Sequence, residues 1–486
     1  MSSLIRPRAI FFLLAVVSVL GALFPELALL PLRSTVSHMR APETANAITR
    51  WLFVAGTLTF GGVWIAWPRL RTWIERSVTL VAELPRSTYW LIVIALATVP
   101  RLLVAAAISY EPVADAWWYH DAATALASGQ GLAVDGASTA YRPPGYPFLL
   151  SLTYRLFGPI LALAWFWGAI ATAVIIGTIH MIANRLYGAM VARLAALFAA
   201  MYPALILMTG QALSDLPFVA GLLLLVAFVL AGTPFRLVAA IGIGVAIGLL
   251  TLTRGAALGL VAVVPLIWYA RRQDMAKAAI AFFVIALAFA ATIAPWMARN
   301  HAVFGYYTLG TNLGMNAYVG NHRDAPGGAV ADHWPSSPQM TSSNEAEVDR
   351  ELMRMAIGFV ASNPWQALAI LPRKLMHLYL LETEATTSLF QGEHPSAAWM
   401  KYTLYGASQI VYVAFLVLFC LRVLDLGAHS RRPRGAQWTG WLLIGYFTLL
   451  CLVFHGEDRY RLPILPWMLI EGSVLLARAS KRDNTR

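Results

Sequence analysis

Long apolar runs determine what this 486-residue chain can fold into. A helix needs about 20 mostly apolar residues to cross a bilayer. Only 12% of the residues are charged, which is about half the fraction found in soluble domains. We therefore predict an all-α polytopic membrane protein with about twelve transmembrane helices. The runs lie at 9–31, 50–67, 89–109, 159–183, 190–208, 214–232, 235–252, 256–270, 276–297, 403–424, 437–454 and 461–478.

The charged residues are mostly basic, and their distribution predicts the orientation of the chain. The formal net charge is +12, but no soluble domain is predicted that would carry a nucleic-acid-binding face. If the N-terminus is cytoplasmic, Lys and Arg concentrate in cytoplasmic connections at 68–88, 271–277 and 425–436 and in the C-terminal tail, as the positive-inside rule requires. The first apolar run is too long for a secretory signal, so we expect a retained helix. Both termini are predicted to be cytoplasmic.

Two segments on the outer side are too long to be turns, residues 110–158 and 298–402. In the first, residues 114–128 have the pattern of a helix that lies in the membrane interface. In the second, Glu345 follows Ser342 at the spacing of a capping box, which predicts a helix beginning at Ser342. We therefore expect interfacial helices in both extracytoplasmic loops.

The apolar runs and the two long loops divide the chain into five parts. The sequence contains no visible short internal repeat and no low-complexity stretch. The parts are an N-terminal two-helix membrane segment (1–67), a basic cytoplasmic linker (68–88), a membrane core with its outer loop 110–158 (89–297), an extracytoplasmic loop or lid (298–402), and C-terminal membrane helices with a basic cytoplasmic tail (403–486).

Charged residues near the outer ends of the spans are the candidates for chemistry. Asp115 lies just outside the third span among aromatic residues. It is either a proton acceptor or cation ligand, or a helix N-terminal charge that satisfies the dipole. Charges at this depth are costly unless they are paired or functional, although any single arginine can also snorkel to the interface. The outer arginines are Arg142, Arg254, Arg299, Arg459 and Arg461.

The sequence offers little that could hold a metal ion. Cys420 and Cys451 both lie inside apolar runs, so neither a disulfide framework nor a Cys-based metal site is expected. His455, Glu457 and Asp458 form an acidic cluster that either binds a divalent cation or pairs with neighbouring arginines. We favour pairing, and we predict no required metal and no other cofactor.

Several short motifs, in a fixed order, resemble those of the bacterial GT-C glycosyltransferases of the family 39 type, which includes protein O-mannosyltransferases and lipid A aminoarabinose transferases. The resemblance covers about residues 89–477 and excludes residues 1–88. Its pieces are Asp115 with Tyr119 and Ala122, the turn Gly129 and Gly131, Ala140-Tyr141-Arg142-Pro143-Pro144-Gly145-Tyr146-Pro147, Ser214-Asp215, Leu252-Thr253-Arg254, Ala294-Pro295-Trp296 with Arg299-Asn300 and Phe304-Gly305, Gly320-Asn321, and Arg459-Tyr460-Arg461-Leu462-Pro463.

The resemblance implies transfer of a sugar from a polyprenyl-phosphate donor to an extracytoplasmic lipid, glycan or protein acceptor, at a bacterial cytoplasmic membrane. In the inverting geometry, a base opposite the leaving group takes the acceptor proton. Asp115 is the candidate base, and Asp215 would orient the acceptor or stabilise developing positive charge. The leaving phosphate would be bound by Arg142, Arg459, Arg254 and Arg299, because guanidinium groups make charge-assisted contacts with phosphate. The candidate residues lining the substrate are Tyr119, Tyr141, Tyr460, His455 and Glu457.

Two departures from the family pattern leave the substrate open. Ala116 follows Asp115 where many relatives have Glu, and Asp215 stands where Glu is frequent. Two other functions remain as alternatives, a secondary transporter and a polymerase or ligase that acts on lipid-diphosphate-linked glycans. A transporter would place its polar residues near the midplane and often show repeated halves. In this sequence the polar residues collect at one face, which favours the glycosyltransferase.

Overall fold

A computed structural model describes residues 61, 65–66, 68–69, 71–108, 111–231, 236–272, 274–329, 344–390, 398–428 and 435–481. The predicted span at 9–31, and all but a few residues of the one at 50–67, lie outside this part of the chain. The helices are α1 (Arg86–Ala107), α2 (Asp115–Ala127), α3 (Gly145–Phe157), α4 (Leu163–Tyr187), α5 (Ala189–Met201), α6 (Pro203–Leu207), α7 (Asp215–Ala231), α8 (Leu237–Thr253), α9 (Leu260–Arg272), α10 (Met275–Phe304), α11 (Leu313–Gly320), α12 (Glu345–Ser362), α13 (Pro364–Tyr379), α14 (Glu384–Thr387), α15 (Ala398–Ala428), α16 (Trp438–Val453) and α17 (Leu465–Lys481).

The helical membrane architecture is confirmed. Among the described residues, five helices are long and apolar enough to cross a membrane: α1, α4, α10, α15 and α16. The bent pair formed by α5 and the segment Pro203–Gly210 makes a sixth if it is one span. The predicted count of about twelve is not confirmed, because α7, α8 and the segment Gly255–Tyr269 are apolar but shorter. All of these helices coincide with predicted apolar runs.

The chain divides into two compact units, and everything described below lies in the unit formed by residues Pro85–Val474. In the other unit, which comprises Met1–Leu84 and Leu475–Arg486, residues 71–83 are helical. The main unit contains both outer loops and all of the candidate site residues.

The break between α5 and α6 is stabilised by a buried arginine in α1. Arg101 is 6% exposed. Its Nε donates to Thr209 Oγ1 at 2.9 Å, and its Nη2 donates to the Leu205 carbonyl at 3.1 Å. The carbonyls of Ala97 and Ala200 accept its remaining bonds. Arg101 thus binds carbonyls on both sides of the break, Ala200 in α5 and Leu205 in α6, and polar partners of this kind allow irregular backbone within a membrane protein.

The first outer loop forms two helices joined by a small hairpin. The helix predicted at 114–128 is confirmed as α2. A two-residue strand β1 (Ala133–Val134) then pairs antiparallel with β2 (Ala137–Ser138), a feature that the sequence did not predict. Pro144 precedes α3, whose outer face carries exposed apolar side chains such as Phe148 and Leu156.

In the second outer loop, the capping box predicted at Ser342 and Glu345 is wrong. Ser342 lies outside the described residues, and α12 begins at Glu345 with Asn344 as its N-cap, whose side chain accepts from Ala346 N at 3.0 Å. The Glu345 carboxylate instead reaches the first outer loop. It accepts from Thr139 Oγ1 at 3.0 Å and from the backbone N–H of Ala140. This contact joins the two outer loops beside Arg142.

Two close backbone approaches hold the turn after α16 against the second outer loop. A Cβ at Gly456 would lie 2.0 Å from the Lys374 carbonyl oxygen, and one at Gly320 would lie 1.7 Å from that of Phe454. The buried Lys374 donates to Asn321 Oδ1 and to the Leu452 carbonyl, both at 2.8 Å. Burial lowers the pKa of Lys374 to about 8. These contacts position residues 455–459 just beyond the C-terminal end of α16.

Candidate functional site

Asp115 is the first residue of α2 and lies between two arginines. Its Oδ2 is 2.9 Å from Arg459 Nη1, and its Oδ1 accepts from Arg142 Nη2. The side chain is 26% exposed, so it is open to a ligand on one side. The preceding Ala114 has φ +48° and ψ −117°, a conformation that is costly for a residue with a Cβ. The backbone is strained at the position that aims this carboxylate.

Arg142 is enclosed by aromatic rings. Its guanidinium carbon lies 5.4 Å from the ring centres of Tyr119 and Tyr141 and 6.0 Å from that of Trp118. Such cation–π contacts fix a guanidinium without neutralising it. The Tyr119 hydroxyl is also within 2.9 Å of Ser214 Oγ, which connects α2 to the start of α7. Arg142 Nε is buried and has no hydrogen-bond partner among the described residues.

Arg459 lies in the 3-10 turn Asp458–Arg461 and is 9% exposed. Its Nη2 is 3.7 Å from Glu457 Oε1, and Glu457 Oε2 is 3.8 Å from His455 Nε2. The buried His455 also lies 3.2 Å, through Nδ1, from the Asn316 carbonyl oxygen. Arg459 is therefore shared between Asp115 and Glu457, and its Nε, like that of Arg142, is buried without a partner in the described part of the chain.

A third arginine joins this group through Tyr460. Arg254, directly after α8, pairs with the buried Asp215 at the start of α7. The Tyr460 ring centre lies 5.4 Å from the guanidinium carbon of Arg254 and 5.8 Å from that of Arg459. Arg142, Arg254 and Arg459 are called the arginine cluster below. It brings together the ends of α2, α7, α8 and α16.

The arginine cluster determines the charge state of the carboxylates around it. Burial alone would raise the pKa of Asp115, but Arg142 and Arg459 outweigh it and hold that pKa well below its usual range. Burial likewise opposes ionisation of Glu457, but Arg459 and His455 lower its pKa to about 2. Both groups are ionised at neutral pH, so Arg142 and Arg459 each face a carboxylate.

The structure does not bring two of the outer arginines into the cluster. Arg299 donates to the carbonyls of Thr139 at 2.9 Å and Leu132 at 3.2 Å. Arg461 pairs with Glu382 Oε2 at 3.2 Å and donates to the carbonyls of Leu378 and Leu381. Both side chains therefore support loop backbone. The other predicted residues, Tyr119, Tyr141, Tyr460, His455 and Glu457, all lie next to the cluster.

Glu384 is an additional acidic residue that sequence reasoning missed. It begins the short helix α14 and lines a cavity together with Arg459. Burial, reinforced by Glu457, raises its pKa to about 7. The only sequence signal is the acidic pair Glu382 and Glu384 directly after an apolar helix, and that pattern alone does not indicate proximity to Arg459.

Metal binding is not indicated by the geometry. Among the described residues, no group of three or more His, Cys, Asp or Glu side chains could hold a metal ion. Asp115, Asp215 and Glu457 each face an arginine. Asp458 accepts hydrogen bonds from Thr383 and from the backbone N–H of Glu384 at 2.9 Å. Each of these carboxylates thus has an arginine or a hydrogen-bond donor of the protein as its partner. That the protein needs no metal ion stays a prediction.

Comparison with known proteins finds one matching family model and several similar solved structures. Residues 141–298 match the family model of dolichyl-phosphate-mannose-protein mannosyltransferases. This segment contains Arg142 and Arg254 of the arginine cluster, and also Asp215, which pairs with Arg254. Comparison with curated proteins finds no match.

Among solved structures, the apo oligosaccharyltransferase of Archaeoglobus fulgidus aligns with a TM-score of 0.47 and 12% identity over 81% of this chain and 51% of its own. ArnT of Cupriavidus metallidurans, bound to undecaprenyl phosphate, aligns with a TM-score of 0.37 and 13% identity over 82% of this chain and 79% of its own. The chain thus spans about half the length of the oligosaccharyltransferase. The resemblance to GT-C glycosyltransferases is confirmed, with the family model matching over residues 141–298.

Proposed function

We propose that this protein is a membrane glycosyltransferase that moves a sugar from a polyprenyl-monophosphate donor to an extracytoplasmic acceptor with inversion. The observation that carries the proposal is the arginine cluster around Asp115. The contacts run without interruption from Arg142 through Asp115 to Arg459. The family whose model matches is described as using a dolichyl-phosphate-linked sugar, the class of donor that such a cluster would bind.

Phosphate binding follows from the donors that the cluster presents. A lipid phosphate becomes more negative as its bond to the sugar breaks, and preorganised guanidinium groups stabilise that charge. Arg142 and Arg459 each have a buried Nε without a partner in the described part of the chain. An unpaired buried donor is unfavourable, so a phosphate oxygen would satisfy groups that the protein leaves unsatisfied. Arg254 would contribute the third positive charge.

Asp115 is proposed as the base that takes the acceptor proton. Its pKa is far below that of an efficient general base while both arginines bind it. A donor phosphate would compete for the same guanidinium groups and so weaken their hold on Asp115. The pKa of Asp115 would then rise, and its carboxylate would gain basicity when the donor is in place. Donor binding thereby activates the base.

Asp215 is proposed to act through Arg254. It is 4% exposed, and among the described residues its carboxylate makes one ion pair, with Arg254. It therefore positions the guanidinium that lies against Tyr460. We also propose the orientation predicted from the basic connections, with both termini cytoplasmic and the cluster on the outer face of a bacterial cytoplasmic membrane. Residues 298–402 would act as a lid, which Glu345 joins to the loop of Arg142.

The test uses the full chain in lipid nanodiscs with a panel of polyprenyl-monophosphoryl sugars that includes mannose. Release of free polyprenyl phosphate, together with a labelled product in an envelope extract, is the expected result. Polyprenyl-diphosphoryl sugars are supplied in parallel, and their exclusive use would favour the polymerase or ligase instead. Coupled ion or solute flux in liposomes without sugar transfer would favour the transporter and overturn the proposal.

A further inference from the structure

The C-terminal end of α16 is capped by two side chains of the second outer loop. A helix leaves its last carbonyl groups without partners inside the helix. At the end of α16, Lys374 Nζ donates to the Leu452 carbonyl at 2.8 Å, and Asn321 Nδ2 donates to the Val453 carbonyl at 2.9 Å. Lys374 Nζ also donates to Asn321 Oδ1 at 2.8 Å, so the two capping groups are joined. Lys374 lies on α13, and Asn321 directly follows α11.

Lys374 is a buried cation that pairs with no carboxylate among the described residues. Its side chain is 1% exposed, and a buried charge is unfavourable unless it is compensated. The compensation comes from α16, because the C-terminal end of a helix carries about half a negative charge from its aligned peptide dipoles. With a pKa of about 8, the ammonium group is mostly protonated at pH 7. Lys374 therefore stabilises one position of the end of α16 relative to α13.

The turn that follows α16 is held against the same outer loop. The Gly456 N–H donates to the Gly327 carbonyl at 2.8 Å. Gly456 also lies so close to the backbone of Lys374 that there is no room for a Cβ. Arg459 follows three residues later, and its Nη1 is 2.9 Å from Asp115 Oδ2. The path of the chain from the end of α16 to Arg459 is thus fixed from the second outer loop.

We propose that Lys374 and Asn321 are positioning residues, which cap the end of α16 and thereby hold Arg459 at the phosphate site. This inference rests on the proposed function, in which Arg459 binds the donor phosphate. Without the cap, the Leu452 and Val453 carbonyls would be buried without partners, and the end of α16 would shift to find others. A displacement of about 1 Å at a catalytic site can lower turnover by about 10²-fold.

The experiment compares the wild type with Lys374→Met, which nearly keeps the length of the side chain but removes its charge and its donors. The Kd for free polyprenyl phosphate and the turnover of the lipid-linked sugar are measured in lipid nanodiscs. We expect the Kd to rise about tenfold, because a displaced Arg459 loses a charge-assisted hydrogen bond to the phosphate. Turnover should fall at the same time.

Two controls separate positioning from a general loss of stability. Arg422→Met removes a buried cation that pairs with Glu471 at 2.8 Å, so it should lower the melting temperature and leave the Kd unchanged. Lys277→Met makes the same substitution at an exposed lysine that pairs with Asp274, and it should change neither quantity. An equal rise of the Kd in Arg422→Met and Lys374→Met would show general destabilisation and would overturn the positioning role.

A double-mutant cycle tests whether Lys374 acts through Arg459. In an Arg459→Ala background, Lys374→Met should weaken binding of polyprenyl phosphate by less than about twofold, because the group that Lys374 positions is gone. A further loss of about tenfold in that background would overturn the inference, since the two residues would then act independently.

Asn321→Ala removes the cap from the side of α11 and is expected to raise the Kd in the same way. It decides the question if Lys374→Met does not fold. Unchanged Kd and turnover in the folded variants, with binding by the wild type, would overturn the positioning role alone. A wild type that binds no polyprenyl phosphate would overturn the proposed function and this inference with it.

Discussion

Asp115 Oδ2 lies 2.9 Å from Arg459 Nη1, which joins the first outer loop to the 3-10 turn Asp458–Arg461. Arg142 occupies the other oxygen of the same carboxylate. Asp115 therefore holds together two cations that would otherwise repel each other. A ligand phosphate must compete with this carboxylate for Arg142 and Arg459, so a change at any of these three residues should alter the affinity for the phosphate.

Asp115→Asn is expected to abolish release of polyprenyl phosphate while it strengthens binding of free polyprenyl phosphate. Loss of a general base lowers turnover by about 10²–10⁴-fold, and loss of the competing charge frees both arginines for the ligand. Turnover and the Kd for polyprenyl phosphate are measured on the same nanodisc sample. The matched control is Asp121→Asn, because Asp121 accepts only from the backbone of Asp135 at 2.8 Å among the described residues. Full turnover by a folded Asp115→Asn variant contradicts the assignment.

Arg142→Lys is expected to weaken binding of polyprenyl phosphate by about 10–100-fold, because lysine keeps the charge but loses the planar bidentate donor set. The comparison is Arg299→Lys. Since Arg299 donates to the Thr139 and Leu132 carbonyls, this change should lower the melting temperature and leave the affinity for the lipid phosphate nearly unchanged. An equal loss of affinity in both variants would show that Arg299 also binds the phosphate.

Ala114→Gly is expected to stabilise the protein by about 1 kcal/mol, because glycine relieves the strained backbone at the cost of more freedom in the unfolded chain. Turnover should fall at the same time, since the strained residue aims Asp115. Thermal unfolding and turnover are measured together. Ala114→Val is the matched control and is expected to destabilise, because a β-branched residue tolerates φ +48° less well than alanine. A stabilised Ala114→Val variant would show that this backbone is not strained.

The pH dependence of stability should include a contribution from Asp349. Burial raises the pKa of this carboxyl to about 6, although the Gly314 and Met315 N–H groups donate to it. Because the folded pKa is raised, its contribution to stability is fully present below about pH 4 and is lost as pH rises through about 6. Asp349→Asn does not titrate. The free energy of unfolding of Asp349→Asn relative to the wild type should therefore rise by about 1–3 kcal/mol between pH 4 and 7.

The quantity to compare is the slope, against pH, of the difference in free energy of unfolding between Asp349→Asn and the wild type. The amide group that replaces the carboxyl changes this difference by the same amount at every pH, so it does not affect the slope. The control is Glu351→Gln on the same helix. A hydrogen bond from Arg354 lowers the pKa of Glu351. The free energy of unfolding of Glu351→Gln relative to the wild type should therefore fall, not rise, as the pH increases. A flat difference for Asp349→Asn would mean that this carboxyl has an ordinary pKa in the folded protein.

Helix positions were predictable because each apolar run is a local signal. Runs such as 89–109 and 276–297 are confirmed as α1 and α10. The count of spans was less predictable, since a run of 15 to 19 apolar residues does not show whether the helix crosses, bends or stays short. The break at Tyr202 depends on Arg101, which lies a hundred residues earlier in a different helix.

Which of the charged residues come together in the candidate site was only partly predictable from the sequence. The placement of acidic and basic residues near the predicted span ends selected Asp115, Arg142, Arg254 and Arg459 as candidates, and in the structure these four residues lie close together. It could not distinguish Arg254 from Arg299, because each directly follows a predicted apolar run, 235–252 or 276–297. The carbonyls that bind Arg299 come from the loop before Arg142, and that contact exists only in the folded chain.

The sequence by itself determined that the chain is helical and membrane-embedded, since a lipid environment requires each apolar segment to satisfy its own backbone hydrogen bonds. It also placed the charged residues near span ends, where hydropathy changes along the chain. The tertiary structure decided which charges meet. Asp115 contacts Arg459, and Glu384 lines the cavity beside it, because electrostatic pairing depends on distances between helix ends rather than on spacing along the sequence.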